Sequence, residues 1–331
     1  MTQRPAMSVV MPMYNVERYI GEAIQSVLDQ DFEDFELIIV DDASLDGSNG
    51  ICHSFKDPRI RVIAQRNRGL AGARNTGVAA ARGRFIALLD SDDRWVPSKL
   101  GLHFIHLTAN PDVDVSYSGS RFINEAGLPL ALAMRPKLED VTAKDIVTRN
   151  PVGNGSAPVI RKSALDRVAF RHPAEPERTC WFDESFRQSE DIEMWLRMAV
   201  GAGCRFEGIS GLLTEYRVAS GGLSANIARQ YESWCRMIDK TAGYAPGFIR
   251  KHRAAAEAYQ LRYLARRSVQ LGDGAFALAL VRQSLARNAR ILFQEPGKTL
   301  STALAAAAAR WLPSRAFDAV AQWRLGAGLK T

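Results

Sequence analysis

The chain has 331 residues, 47% of them hydrophobic and 24% charged. That balance excludes a disordered, collagenous or low-complexity protein and leaves ample chain for a buried core. The net charge is +7 and the pI about 9.4, which taken whole points to a nucleic-acid or anionic-membrane partner. The charge is uneven, however. Residues 241–331 hold 14 Lys/Arg against four acids (Glu257, Asp273, Glu295 and Asp318), a net +10, and residues 1–240 carry −3.

The elements read as follows in chain order. Met7–Met13 is a short apolar run, expected as a buried parallel strand rather than a signal peptide. Val16, Ile20, Ala23, Ile24, Val27 and Leu28 recur at helical spacing. Phe35–Val40 is a second strand closed by Asp41-Asp42, and a short helix near Gly47–Phe55 leads to a third at Arg59–Ala64. An Ala-rich helix covers Ala71–Ala81, and Phe85–Leu89 is a fourth strand closed by Asp90-Ser91-Asp92-Asp93. Val113–Ser116 is a fifth. This alternation predicts a doubly wound, mostly parallel α/β sheet. Residues 121–220 are more irregular: short strands at Pro158–Arg161 and Leu212–Arg217, a Gly/Asn/Ser/Pro loop at Asn150–Pro158 and a helix at Glu190–Gly201. In that helix Ile192, Trp195, Leu196 and Ala199 form an apolar face. From about residue 225 only helices are expected, broken at Gly243–Gly247, Gly272–Gly274, Pro296-Gly297 and Pro313, so the domains divide as 1–224 and 225–331.

Cys52, Cys180, Cys204 and Cys235 are scattered without a CxxC pair, as in a reduced cytoplasmic protein. His103 and His106 lie three apart on a helical stretch and are expected to pack rather than to bind metal. No run of about 18 apolar residues exists, so no membrane span is expected.

Ligands of parallel α/β sheets bind beyond the carboxyl ends of the strands. Two of these ends are acidic. Asp90, Asp92 and Asp93 repel one another and suit a hard divalent cation with a phosphate, or alternatively a solvated turn; their place after an apolar strand favours the cation. Asp41 and Asp42 could cap a helix or accept from a nucleobase N–H. The stretch Arg66–Asn75 is a basic, Gly-bearing turn entering a helix, where Arg74 offers a fork for phosphate or simply a solvated charge. Neither GxxxxGK[ST] nor GxGxxG is present, which argues against a P-loop NTPase and a dinucleotide enzyme. Glu190 and Asp191 open a helix, where acids suit the dipole, but a helix pinned by an apolar face also fixes them as candidate general bases.

These blocks together resemble the family-2 glycosyltransferases, inverting enzymes of GT-A fold that use nucleotide-diphosphate sugars. The resemblance runs through Ser8–Asn15, Leu37–Gly47, Asn67–Gly77, Leu89–Asp93 and Ser189–Arg197, over about 200 residues. It implies a GT-A sheet with a C-terminal helical extension. It implies that Pro12, Tyr14 and Asn15 line the nucleotide pocket, Tyr14 near the base. Asp42, or less favourably Asp41, would accept from uracil N3–H, and Arg74 would lie by the base or diphosphate. Asp90 and Ser91 would hold the ribose side of a DxD motif, Asp92 and Asp93 would bind Mg²⁺ or Mn²⁺, and Asp191 would be the base, with Glu190 beside it. A single displacement through an oxocarbenium-like transition state would then invert the anomeric centre. The QxxRW block of processive members is missing (Gln322-Trp323-Arg324 is in another order), which implies addition of one sugar per acceptor.

The Arg-rich tail, with Trp311, Phe317 and Trp323, reads either as a helical subdomain with solvated bases or as a surface for anionic lipid. The latter suits a lipid-linked saccharide acceptor at the inner face of the cytoplasmic membrane, and the Asn150–Pro158 loop is expected to face that acceptor. A nucleotidyltransferase lacks its Gly-rich basic loop here. A nucleic-acid binder is disfavoured by the −3 of residues 1–240, so no nucleic-acid partner is expected.

Overall fold

The computed structural model describes residues 4–218 and 227–311. The chain divides into two compact units, Met1–Ala143 with Pro151–Ala219, and Lys144–Asn150 with Ser220–Thr331. The boundary expected at 224/225 lies outside the described residues, as do Pro313, Phe317 and Gln322–Arg324.

The first unit starts as the pattern of apolar runs dictates. β1 (Met7–Met13) is buried along its whole length, so water reaches neither face, and it pairs in parallel with β2 (Phe35–Asp41) and β4 (Phe85–Leu88). β3 (Ile60–Ala64) pairs in parallel with β2. Helix α1 (Ile20–Leu28) buries Ile20, Ala23, Ile24 and Val27 in the resulting core, and α2 (Ser48–Ser54) adds Cys52 to it. Helix α3 (Gly69–Ala80) packs closely on β1 because Gly77 has no side chain: a Cβ there would overlap Val10 Cγ1.

Beyond β4 come the two-residue β5 (Arg94–Trp95), α4 (Lys99–Ala109), β6 (Val115–Ile123), β7 (Pro129–Met134) and α5 (Ala143–Arg149), the last lying mostly in the second unit. They are followed by β8 (Val159–Arg161), α6 (Lys162–Asp166), a hairpin of β9 (Phe170–His172) and β10 (Glu175–Cys180), α7 (Glu190–Leu196) and β11 (Phe206–Arg217). Among the described residues the main sheet has nine strands in the order β3-β2-β1-β4-β8-β6-β11-β5, with β7 on β6. It is parallel-rich but mixed: β8 runs antiparallel to both β4 and β6. The reason is local. Its chain arrives at the rim where β4 ends, so β8 can only run back down the sheet.

α7 continues into a π-helical turn at Arg197–Gly201, so the helix expected at Glu190–Gly201 is not uniformly α. Trp195 and Leu196 are buried as expected. Ile192 and Ala199 are only half-buried, and Met194 and Met198 take the core positions instead.

The second unit is helical: α8 (Ile227–Tyr244), α9 (Pro246–Gln270), α10 (Gly274–Arg287), α11 (Ile291–Gln294) and α12 (Pro296–Trp311). Its core joins Leu261, Leu264 and Ala265 of α9 to Ala277, Leu280 and Val281 of α10 and Ala306 of α12. Not every basic residue there is solvated. Arg262 is buried, paired with Glu295, and donates 2.9 Å to Thr299 Oγ1. Arg149 donates 2.8 Å to Tyr259 Oη, which ties Lys144–Asn150 to this unit. Among the described residues no helix is long and apolar enough to cross a membrane.

Candidate active site

The site forms where β1, β2 and β4 end, and α3 organises it. Asp42 lies just past β2, 2% exposed. Its Oδ1 accepts from Gln65 Nε2 (2.6 Å) and Arg68 N (2.7 Å), and its Oδ2 accepts from Gly69 N (2.8 Å). Asp42 therefore shapes the turn into α3. A carboxylate has room for about four hydrogen bonds, so one acceptor position is left. Asp41 accepts from Ser44 N (2.9 Å) and Asn49 Nδ2 (2.8 Å). Pro12 is buried, whereas Tyr14 and Asn15 are exposed. Asn15 Oδ1 accepts from Leu45 N at 2.8 Å, which fastens the end of β1 to the loop after β2.

Asn15 (φ 50°), Ala43 (φ 66°) and Ser189 (φ 62°) all adopt left-handed backbone at this rim. Such residues cost free energy and persist where surrounding structure fixes them, as at functional sites. Ser189 immediately precedes α7 and so sets the direction in which Glu190 and Asp191 leave the chain.

Arg74 is where the structure departs most from expectation. The resemblance places it beside a base or diphosphate; here it is 1% exposed. Its Nη2 donates 2.6 Å to Asp90 Oδ1 and its Nη1 donates 2.7 Å to Glu190 Oε1. The guanidinium thus joins the end of β4 to the start of α7, whose Glu190 is 116 residues from Arg74 in sequence, and the two carboxylates raise its proton affinity against the cost of burial. Next to it, Asn75 Oδ1 accepts from Trp181 N and Phe182 N, both at 2.8 Å. Successive residues of one helix therefore fix both α7 and the segment that leads to it.

The four residues of the DxD segment differ in environment. Asp90 is partly exposed and shares its Oδ1 with Arg74. Ser91 is buried. Asp92 is half-buried; burial and the charge of Asp90 push its carboxyl up to about 6, against a backbone hydrogen bond and the more distant Arg217 and Arg74. Asp93, expected at the metal, is instead inside: it is 1% exposed, with Oδ2 accepting from Ser156 Oγ (2.5 Å) and Oδ1 from Arg217 N (2.8 Å). Burial, with Asp92 and Asp90 adding to it, drives its carboxyl well above the usual range. Both of its oxygens are engaged by the protein interior, which sets it apart from Asp90 and Asp92.

Asp191 is half-buried beside Glu190. Burial, and then the charge of Glu190, push it up to about 7, against the pull of Arg74. A general base serves best when its pKa lies near working pH.

Three supporting residues carry no motif of their own. Ser156 Oγ accepts from Asp90 N (3.0 Å) while donating to Asp93. A Cβ on Gly155 would fall on Arg74 Nη2 and 2.9 Å from Asp90 Oδ2. Both belong to the Asn150–Pro158 loop, which therefore supports the DxD segment. Arg217, the last residue of β11 and buried, donates from Nε to Asp92 O (2.7 Å) and from Nη2 to Glu22 Oε2 (2.9 Å). The sequence signals for them are faint: a Gly-Ser pair in a polar loop and an arginine ending an apolar run.

Residues 8–168 match the model of Glycosyl transferase family 2. A Bacillus subtilis (strain 168) protein assigned as the teichuronic acid biosynthesis glycosyltransferase TuaG is 30% identical over 226 residues, 67% of this chain and 83% of its own. The chain belongs to the family-2 glycosyltransferases. This glycosyltransferase is also 29% identical over 234 residues, 68% of its length, to Escherichia coli WfgD, a UDP-Glc:alpha-D-GlcNAc-diphosphoundecaprenol beta-1,3-glucosyltransferase, and covers 83% of it. Its fold resembles that of the mannosyltransferase PcManGT of Pyrobaculum calidifontis, solved with GDP-Man and Mn²⁺, with a TM-score of 0.57 at 20% identity over 94% of this chain and 88% of that one.

Proposed function

We propose that the protein transfers one sugar, with inversion, from a nucleotide-diphosphate sugar (a UDP-sugar first) to a saccharide acceptor carried on a lipid, in the assembly of a cell-surface or exported polysaccharide. The observation that carries this reading is the Arg74 bridge, which holds an acid-bearing strand end and an acid-bearing helix start at one rim. The name of WfgD, with its UDP-glucose donor and diphosphoundecaprenol-linked acceptor, supports the substrate classes.

In this reading Tyr14 and Asn15, with Pro12 beneath them, receive the nucleoside, and the remaining acceptor position of Asp42, or failing that Asp41, takes a base N–H. Asp90 and Ser91 face the ribose. Glu190, fixed by Arg74, holds Asp191 toward the acceptor. Asp191 accepts the proton of the acceptor hydroxyl as that oxygen attacks the anomeric carbon opposite the departing diphosphate. One displacement converts an α-linked donor into a β-linkage.

The residues present fit Mg²⁺ or Mn²⁺, the ion in the PcManGT structure being Mn²⁺. The charge of the Asp92 carboxylate is disfavoured by burial and by Asp90, a situation that a cation relieves. Among the described residues no cluster of three or more His, Cys, Asp or Glu forms a cage. This suits an ion taken by one or two carboxylates and completed by substrate phosphates. Asp92, with Asp90, would hold the ion, and its chemistry when bound is to neutralise the diphosphate leaving group.

The domains in this proposal are a catalytic part, 1–224, and a basic helical part, 225–331, that rests on anionic lipid at the inner face of the cytoplasmic membrane. Phe293, Leu300, Leu304 and Trp311 are exposed on α11 and α12 among the exposed bases Arg290, Lys298 and Arg310. Apolar side chains with flanking bases are what an interfacial helix needs. Deleting from residue 299 would remove Thr299, Thr302 and Ala306 from the helical core. The test is therefore Leu300→Ser with Leu304→Ser: co-sedimentation with phosphatidylglycerol vesicles should fall and be salt-sensitive. Equal pelleting of variant and parent sinks the membrane reading.

For the chemistry, a panel of UDP-glucose, UDP-galactose, UDP-N-acetylglucosamine and GDP-mannose is scored for hydrolysis or transfer with Mn²⁺ and then with chelator. Asp191→Asn should lower the rate about 10²–10⁴-fold, the range for loss of a general base. A rate within about threefold of the parent would remove Asp191 from the role.

A further inference from the structure

A lysine that this chemistry does not use lies fully buried beneath the DxD segment. Lys99, the first residue of α4, is 0% exposed. Its Nζ donates 2.7 Å to Ala157 O and stands 5.2 Å from the centre of the Trp95 ring. Trp95 in turn donates its Nε1–H to Ser156 O at 2.9 Å. Two consecutive carbonyls of one loop are thus held by a Lys–Trp pair. The first of these carbonyls belongs to Ser156, whose hydroxyl accepts from Asp90 N and donates to Asp93.

An ammonium group in an apolar interior is costly, and burial alone pushes Lys99 down to about 7. A continuous chain of hydrogen bonds leads away from it. Lys99 Nζ is 3.4 Å from His103 Nε2, and His103 Nδ1 is 2.7 Å from Ser116 Oγ. Ser116 Oγ is 2.8 Å from His106 Nδ1, and His106 Nε2 is 3.0 Å from Glu207 Oε1. The donor directions follow from the ends inward. An ammonium only donates, so His103 Nε2 accepts and its proton sits on Nδ1. Ser116 accepts that proton's bond and donates its own to His106 Nδ1, which leaves the His106 Nε2 proton for Glu207. Burial, with Lys99 and His106 adding to it, holds His103 well below its usual range, hence neutral, as this arrangement needs. Every link runs from the cation to the carboxylate.

We propose that Lys99 is a positioning residue for sugar transfer: it holds the Ser156 loop, and through it Asp90 and Asp93, while His103, Ser116 and His106 relay its charge to Glu207. The inference rests on the reading of the Asp90–Asp191 rim as the active site. The ionisable groups facing this chain are His103 and His106 from α4, Glu207 from β11, and Arg205, which pairs with Glu207 at 2.7 Å and also with Asp112. On the loop side the nearest is Asp93, reached through Ser156.

The test measures kcat and donor KM of the full chain from pH 5.5 to 9.5 for the parent, Lys99→Met, Glu207→Gln and Asp191→Asn. Lys99→Met should lower kcat about 10–10²-fold, the cost of misplacing reacting groups by a fraction of an ångström to an ångström, with less than a threefold change in KM. Glu207→Gln removes only the far anion. It should move the alkaline limb of kcat lower by only a few tenths of a pH unit, because an opposite charge favours the protonated lysine but acts here from four hydrogen bonds away. A packing role would lower kcat equally at every pH. The inference is overturned if the Glu207→Gln profile superimposes on the parent's, and that comparison stands even where Lys99→Met does not fold. An inert Asp191→Asn with an unmoved limb removes the relay alone; an active Asp191→Asn with a moved limb removes the base assignment alone.

Discussion

Replacing Arg74 by methionine tests the bridge on which the site is built. The guanidinium is 1% exposed and makes two charge-assisted bonds, 2.6 Å to Asp90 and 2.7 Å to Glu190. Each such bond contributes about 1.5–3 kcal/mol. Removing one partner of a buried ion pair costs about 3–5 kcal/mol, because the remaining charge stays buried. The two estimates agree, and Asp90 being partly exposed argues for the lower half of that span. Arg74→Met should therefore destabilise the sheet-bearing unit by about 3–4 kcal/mol, read by urea unfolding through Trp95, Trp181 and Trp195. The double variant Arg74→Met/Glu190→Gln should recover about 1–2 kcal/mol, since one stranded charge is gone. A loss below about 1 kcal/mol, or no recovery in the double variant, would refute the idea that Arg74 is a structural counter-charge between the two acids.

The remaining expectations concern the same rim. Asp93→Asn should keep transfer within about tenfold, because the amide can still accept from Arg217 N and donate to Ser156. Asp92→Asn should lose about 10²-fold or more, the scale of a lost electrostatic stabiliser, and parallel steady-state assays separate the two. Gly155→Ala should cost at least about tenfold in kcat, as the added methyl displaces Arg74 and Asp90 together; an unchanged kcat would show that the loop gives way freely. The acid limb of log kcat/KM should fall near pH 7 with Asp191. Its raised carboxyl also means that the folded state binds more protons than the unfolded chain between about pH 4 and 7, so Asp191 costs stability as pH rises through that window. Asp191→Asn should accordingly melt higher than the parent at pH 8 and no higher at pH 4.

Sequence alone carried the strand ends well. Apolar runs closed by Asp41-Asp42 and Asp90–Asp93 sit at one rim because parallel strands all end there, and a helix buried through Trp195 and Leu196 does hold Glu190 and Asp191. The partners of those acids were not legible. A fork such as that of Arg74 looks the same whether it meets phosphate or carboxylate, and its partner Glu190 is 116 residues away. Three aspartates within four residues look equivalent until β11 brings Arg217 N against Asp93. His103 and His106 read as ordinary packed helix positions, and Lys99 gives no signal at all, because hydrogen bonds to Ala157 and Ser116 across the fold leave no periodic trace. In the helix from Glu190, Met194 and Met198 are buried while Ile192 and Ala199 are only half-buried, and the turn at Arg197–Gly201 breaks the uniform 3.6-residue repeat on which the expected face was counted.

The antiparallel strand in the middle of the sheet bears on how the protein comes into being. β3, β2, β1 and β4 are contiguous within residues 7–88 and can pair with one another as soon as that stretch exists. β8 is the seam to the other half, and β11, which pairs with both β6 and β5, ends only at Arg217. The aspartates of the DxD segment lie on the early side of this seam. Their partners Ser156 and Arg217 arrive from the late side, as does Glu190, the second partner of Arg74. Asp42 and Asp90 thus have partners within the early half, in residues 65–74, whereas Asp93 gains its bonds only when Ser156 and then β11 are in place, so the docking of β11 both joins β6 to β5 and completes the acidic rim.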